Sequence, residues 1–381
     1  MRLRTLEKFF KGLALRGVRF FFAPTPLTPE DVDYSQINRI LVVRQHDQIG
    51  DLLLATPALR ALRNKFPHAY IALVVRKHTR EIMIHNPYID EVFVYYRQIQ
   101  NWTLKAFLDF VKRVRRYDLA VVLNTVSRSF SSDLIACLSG AKYRLGATDG
   151  RYGPPSMDPF YNLAVPMDKQ NEKSQVDRNL DIVRYLGADT TDKSYVMVLT
   201  AEEILQGREM LRSLKIPPSR WLVGIHLGAR FPDKRWPLEN YTRLCDELIR
   251  LYGAKIVLTR GPGEEKLVET FRQGVKGQEH VFISPPTTLR TLAGLVRNFH
   301  VYIGNDTGAL HVAASQKVYT LCLYGPSNPV EWKPPGDIHR AIRKESGKIE
   351  AISVEDVLAE VDHLFKNFEG QKPFIRSKKE P

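Results

Sequence analysis

The stretch 301–329, VYIGNDTGALHVAASQKVYTLCLYGPSNP, constrains the fold of this chain more than any other. Val301-Tyr302-Ile303 predicts a short buried strand, Gly304-Asn305-Asp306 a turn, 307–315 a helix and 318–323 the next strand. A helix that opens on Thr307-Gly308 straight after a strand directs backbone N–H groups beyond the strand end, where an anion is stabilised. On this reading Asp306 caps the helix, His311 lies one turn further on, and Gly325-Pro326-Ser327-Asn328-Pro329 closes the following strand beside it. A plainer reading stands next to it: Asp306 or Thr307 is an ordinary N-cap and His311 a half-buried helix histidine.

The same strand-helix alternation runs through the chain. Strands are predicted at 39–44, 70–75, 91–96, 118–123 and 144–147, with helices over 51–66, 79–85, 104–116 and 129–138. Connecting helices follow at 177–186 and 201–214. Strands then restart at 221–226, 255–258, 281–283, 301–303 and 318–323. Alternation of this kind implies parallel sheets with right-handed crossovers. At 381 residues the chain exceeds one comfortable core, so two α/β domains are expected, 37–194 and 195–352. They are preceded by a basic extension and linker at 1–36 and followed by a helix and basic tail at 353–381. Val354, Val357, Leu358, Val361 and Leu364 give that last helix an apolar stripe suited to dock back on the first domain. Ligands of two facing doubly wound domains bind at the carboxyl ends of the strands, in the cleft between them.

An apolar fraction of 44% and a charged fraction of 26% are those of a soluble globular protein. No apolar run reaches the ~20 residues that span a bilayer. Cys137, Cys245 and Cys322 are odd in number, far apart and in no metal spacing, which points to buried thiols in a reducing compartment. The net charge of +14 is partly terminal, with Arg2, Arg4, Lys8, Lys11, Arg16 and Arg19 at one end and Arg376, Lys378 and Lys379 at the other. Leu3, Leu6, Phe10 and Leu13 recur at helical spacing among the first set, ahead of Phe20-Phe21-Phe22, as in an interfacial amphipathic helix. A helix packed on the protein's own surface has the same pattern. No nucleic-acid-binding signature accompanies the charge.

Several side chains fall where strand ends are predicted. Asp51, in Gln48-Ile49-Gly50-Asp51, is a candidate general base or the N-cap of its helix. Lys234 and Arg235 occupy a proline-bounded loop after the strand 221–226, where a lysine can place a point charge on a phosphate. Glu264 and Glu265 follow Arg260-Gly261-Pro262-Gly263, placed for a ribose or simply for the first turn of a helix. Asp31-Val32-Asp33 has the spacing of a metal-binding carboxylate pair, but its place in a linker favours a solvated loop. The patterns of phosphate-loop NTPases, of dinucleotide-binding Gly-x-Gly-x-x-Gly turns and of His-Glu-x-x-His zinc sites do not occur.

Three blocks in order, ILVVRQHDQIGDLLLATPALRALRNKFP at 40–67, VGIHLGARFPDKRWPLENY at 223–241 and IGNDTGALHVAAS…LYGPSNPVEW at 303–332, resemble glycosyltransferase family 9, the ADP-heptose heptosyltransferases of lipopolysaccharide core assembly. The resemblance runs from Arg39 to Trp332. It implies a GT-B architecture of two facing Rossmann-like domains, acceptor-binding then nucleotide-sugar-binding. Asp51 matches the family's proposed base and Lys234 its phosphate-binding lysine. Asp306, Thr307 and Gly308 match its donor-binding turn, with His311 at the family's spacing and Glu264 or Glu265 at the ribose-binding acid. Two departures stand out: Asp47-Gln48 replaces two small residues, adding a carboxylate near the base, and Ala229-Arg230 replaces hydroxyl residues, leaving Arg230 to meet the phosphates as a cation.

The resemblance further implies a metal-independent, inverting transfer of heptose from ADP-heptose to an anionic lipopolysaccharide-core acceptor, by a cytoplasmic enzyme held at the inner leaflet. Arg60, Arg63, Arg76, Lys77 and Arg80 either meet the acceptor's anions or cover solvated helix faces. The alternatives are a relative using another nucleotide sugar or a protein acceptor, and a scaffold that binds nucleotide sugar without turnover.

Overall fold

The computed structural model describes residues 24–45, 48–150, 154–167 and 171–367. The amphipathic stretch 1–22, Asp47 and the basic tail carrying Arg376, Lys378 and Lys379 lie outside them. The chain divides into two compact units. The first holds the described residues before 48, Leu54–Arg80 and Asn86–Lys193. The second holds Gln48–Leu53, Glu81–His85 and the described residues from Ser194 onward.

In chain order the first sheet and its neighbours are β1 (Arg39–Val43), α1 (Ile49–Leu54), α2 (Thr56–Lys65), β2 (Tyr70–Arg76), α3 (Arg80–Met83), β3 (Glu91–Tyr95), α4 (Leu104–Arg113), β4 (Leu119–Val122), α5 (Phe130–Leu138), β5 (Tyr143–Thr148), β6 (Leu163–Pro166) and α6 (Gln175–Arg184). The strand order is β3-β2-β1-β4-β5-β6, and every neighbouring pair is parallel. Ile40, Leu41, Val42 and Val43 are inaccessible to solvent, as a continuous apolar run in a sheet covered on both faces must be. The order reverses between β1 and β4.

The second unit continues with α7 (Ala201–Ser213), β7 (Leu222–His226), α8 (Leu238–Tyr252), β8 (Lys255–Thr259), α9 (Glu265–Gly274), β9 (Val281–Ile283), α10 (Leu289–Val296), β10 (Val301–Asn305), α11 (Gly308–Ser315), β11 (Tyr319–Leu323), α12 (Pro329–Trp332), β12 (His339–Ile342) and α13 (Val354–Asn367). Its strand order is β12-β11-β10-β7-β8-β9, again parallel throughout, with the reversal between β10 and β7. Open sheets of this kind bind ligands at the carboxyl ends of the two strands that flank such a reversal.

Four expectations change in detail. The helix over 51–66 is two helices, α1 and α2, because Pro57 has no N–H to return to the preceding turn; the first opens at Ile49 rather than Asp51. The turn after the strand at 301 is shorter than its sequence suggests, since Gly304 and Asn305 pair with Cys322 and Leu323 as part of β10. The edge strands β6 and β12 went unpredicted: four residues each, and partly solvated, they carry too little apolar period to stand out. Finally, the stripe of α13 is buried in the second unit's own core, where Phe365 stacks on Trp221 with ring centroids 3.8 Å apart, rather than being available to the first domain. The three cysteines are buried free thiols.

Candidate active site

The loop 227–236 follows β7, and Asn305, at the end of β10, fastens it. The Asn305 amide is fully buried, donating to the carbonyls of Leu227 (2.9 Å) and Gly228 (3.1 Å) while its oxygen accepts the Trp236 N–H (3.0 Å) and the Tyr241 hydroxyl (3.1 Å). Trp236 anchors the far side, its indole donating to Ile352 O at 2.9 Å. Between these fixed points the chain makes a short helical turn at Pro232–Lys234. Its Asp233 carbonyl lies against Gly325, at the start of the turn 325–329.

This loop brings Lys234 to β10. Its ammonium donates to Asp306 Oδ2 at 2.7 Å, joining residues 72 positions apart at the reversal between β7 and β10. Asp306 is therefore not the cap of α11. That position belongs to Thr307, whose hydroxyl caps nothing: it is buried and has no hydrogen-bond partner. Burial opposes ionisation of Asp306, but His311 and Lys234 outweigh it and hold the carboxyl well below the usual carboxylate range.

His311 is fully buried rather than half-buried. Its Nε2 lies 3.9 Å from Asp306 Oδ1, an electrostatic contact too long for a hydrogen bond, and its Nδ1 is 3.2 Å from the Tyr195 hydroxyl. Which of the Tyr195 hydroxyl and the His311 Nδ1 donates depends on the tautomer of the ring. Burial raises the Tyr195 phenol well above its ordinary value, and the charges of Asp306 and Asp51 add to it.

Asp51 reaches this neighbourhood because Gln48–Leu53 belongs to the second unit. A Cβ on Gly50 would stand 2.7 Å from His311 Cδ2, and one on Gly308 would stand 2.8 Å from Ile49 Cβ. Only glycine at both positions lets the start of α1 approach the start of α11 so closely. Half-buried Asp51 is the third residue of its helix, and its Oδ2 accepts the Gln48 N–H at 2.9 Å, so it closes the helix end.

The remaining sequence candidates separate. Glu264 turns inward: its Oε2 accepts the Gly261 N–H at 2.7 Å and lies 3.7 Å from His226 Nε2. Burial lowers the pKa of His226, against the pull of Glu264, and its Nδ1 faces the Thr259 carbonyl at 3.2 Å. Glu265 is exposed in the first turn of α9, and Arg230 is exposed beside the ring of Phe231. In the first unit, Arg60 pairs with Asp192 and Tyr88, Arg63 with Asp90, and Arg76 donates to Gln45 O; Lys77 and Arg80 remain exposed. Asp31 and Asp33 accept from Thr28 and Ser35 and so close two short turns. Among the described residues no group of three or more His, Cys, Asp or Glu side chains is placed to hold a metal ion. Sequence reading missed Tyr195, His226 and Asn305. Asn305 and His226 each carried a signal, as a polar residue ending an apolar strand, whereas Tyr195 carried none.

Solved structures of the same fold include the glycosyl transferase family 9 protein from Veillonella parvula DSM 2008, with a TM-score of 0.73 and 24% identity over 88% of this chain and 99% of that one. A second is ADP-heptose lps heptosyltransferase II of E. coli, with a TM-score of 0.70 and 23% identity over 87% of this chain and 100% of that one. The fold class is thus GT-B, α/β with two Rossmann-like sheets. Lipopolysaccharide heptosyltransferase 3 of Escherichia coli is 24% identical over 339 residues, covering 83% of this chain and 96% of that protein. Residues 108–361 match the model of Glycosyltransferase family 9 (heptosyltransferase), and the chain belongs to that family of glycosyltransferases.

Proposed function

We propose that this protein is an inverting transferase that moves a heptose from ADP-L-glycero-D-manno-heptose to a sugar hydroxyl of a lipopolysaccharide-core acceptor. One observation carries the reading: a buried, unpartnered Thr307 hydroxyl at the amino end of α11, beside an ammonium held at the same strand reversal. Together they offer a diphosphate a hydroxyl, backbone N–H groups and a positive charge. Names of the family relatives supply the sugar and the acceptor.

In this mechanism Lys234 leaves Asp306 in part to meet the diphosphate, and Arg230 swings in from its exposed position. Gly308 admits the phosphates to the helix end, and Glu264 takes the ribose hydroxyls, with Glu265 one residue further out. Asp51 removes the proton from the acceptor hydroxyl. Its oxygen bonds to the anomeric carbon while the bond to the phosphate oxygen breaks on the opposite face, and ADP leaves with the electron pair. No metal enters the scheme, because Lys234 and the N–H groups at Thr307-Gly308 take the growing negative charge. His311, locked between Tyr195 and Asp306, orients the carboxylate. The acceptor places the enzyme on the cytoplasmic face of the inner membrane, with the stretch 1–22 as its anchor.

Calorimetry with ADP, UDP and GDP, with and without Mg²⁺, tests the donor. Metal-independent preference for ADP supports the reading. A preference for UDP or GDP keeps the transferase and replaces the donor, and wild type that binds none of them removes the mechanism. Asp51→Asn is expected to lower kcat by about 10²–10⁴-fold with little change in ADP affinity. Turnover close to wild type in that variant would take Asp51 out of the role.

A further inference from the structure

The large apolar side chains exposed in the second unit are scattered, but in the first unit three stand together. Leu104, Phe107 and Leu108 are 76%, 48% and 57% exposed, and all belong to α4. With 3.6 residues per turn, positions 104, 107, 108 and half-buried Val111 form one stripe. It is not the stripe that holds the helix down. Phe110 and Val114 do that, buried in the core of the first unit with Tyr95 and Trp102 packed against it. Helix α4 therefore has two adjacent apolar faces, one used for folding and one presented to solvent.

The surroundings of the outer face specify what covers it. Lys105 and Lys112 follow the stripe around the helix on its far side, and both are exposed. Arg97, before the helix, and Arg115 and Arg116, just after it, are exposed as well, while Asp109 is the one acid within α4. Trp102 stands at the amino end with its indole tied to Tyr96 O at 2.7 Å, and its ring meets Phe107 edge-on at 5.9 Å, which holds that phenyl group outward. An apolar stripe flanked by lysines, with an aromatic at its end, suits the boundary between acyl chains and anionic headgroups. A protein groove would accept the leucines but would leave the ring of cations without partners.

We infer that α4 is a membrane-docking helix that lies in the surface of an anionic lipid bilayer, inserting Leu104, Phe107 and Leu108 and placing Lys105 and Lys112 among the headgroups. The inference does not depend on the donor or the acceptor, and it is separate from the anchor proposed for 1–22.

The test is co-sedimentation of the full chain with phosphatidylcholine vesicles, with and without phosphatidylglycerol. Wild type should partition onto the anionic vesicles in a salt-sensitive manner. Leu104→Gln/Phe107→Gln/Leu108→Gln should lower the partition coefficient about tenfold or more. Lys105→Gln/Lys112→Gln, which leaves the apolar face intact, should lower it on anionic vesicles alone. Brominated lipid should quench Trp102 emission in wild type and lose that part of the quenching in Trp102→Phe. Unchanged partitioning of the triple glutamine variant overturns the assignment. So does a wild type that ignores anionic vesicles, or a triple variant that sediments at half the wild-type mass, which would give the stripe to a second copy of the chain.

Discussion

Both units gather charge at the carboxyl edge of a parallel sheet, and they treat it in opposite ways. In the first unit Arg128 is sealed: its Nε donates to Asp133 at 2.9 Å, its remaining nitrogens reach Asp158 and Thr148, and Tyr161 donates to Asp133. Both members of its ion pair with Asp133 are virtually inaccessible to solvent. Burial pushes the Asp133 carboxyl up to about 6, against Arg128 and the Tyr161 hydroxyl. In the second unit the Lys234 side chain keeps 26% of its surface, Thr307 beside it lacks a partner, and His311 and Lys234 pull the Asp306 carboxyl down against its burial. A network in which every group is satisfied has nothing left to offer a ligand. One that holds a partly exposed ammonium and an orphan hydroxyl does.

The largest expected effect tests the sealed side. Arg128→Met leaves Asp133 and Asp158 buried without their counter-ion and should cost about 3–5 kcal/mol in urea unfolding. ADP affinity measured where the variant is still folded should be unchanged, and a large loss there would break the distinction. Lys234→Ala differs by its effect on the ligand: it should weaken ADP binding by about 1.5–3 kcal/mol in calorimetry, and it should lower the unfolding midpoint as well, because it takes a counter-ion from the buried Asp306 carboxylate.

Acid should also divide the units, because the buried histidines among the described residues, His226, His311 and His339, all lie in the second. Burial, with the charges of Lys333 and His311, lowers the pKa of His339 to about 3. It is neutral when folded, while in the unfolded chain it takes a proton below about 6.5. Its contribution is therefore complete above pH 6.5 and lost as pH falls toward 3, about 2 kcal/mol by pH 5. Urea midpoints of wild type and His339→Asn should converge over that window; parallel curves would exclude His339 as the source. Thr307→Val is the smallest and sharpest test. It removes a hydroxyl that bonds to nothing in the fold, so it should cost about 0.5–1.5 kcal/mol of ADP affinity and none of stability.

Much of the frame was legible because buried parallel strands announce themselves as apolar runs. Ile40 to Val43, Leu222 to His226 and Val301 to Ile303 were recognised within a residue or so, whereas β6 and β12, short and at sheet edges, were not. For the site, family spacing singled out Asp51, Lys234, Asp306, Thr307 and His311 one by one. Their mutual arrangement was not legible. Nothing local to Lys234 states that it will be held on Asp306, and nothing near Tyr195 marks it as a partner of a histidine 116 positions later. The exposed stripe of α4 was likewise hidden, since in sequence its two apolar faces merge into one helix signal.

By itself the sequence determined the local facts: which segments are strands or helices, where each turn falls, and which residues stand at strand ends, all functions of nearest neighbours and of period. Tertiary structure decided which of those residues meet. Strand order put the end of β10 beside that of β7, Asn305 fixed the intervening loop, and Gly50 and Gly308 let two helix ends approach within contact distance. Contacts of that kind depend on long-range packing, in which each pair is favoured only after the rest of the core has already closed around it.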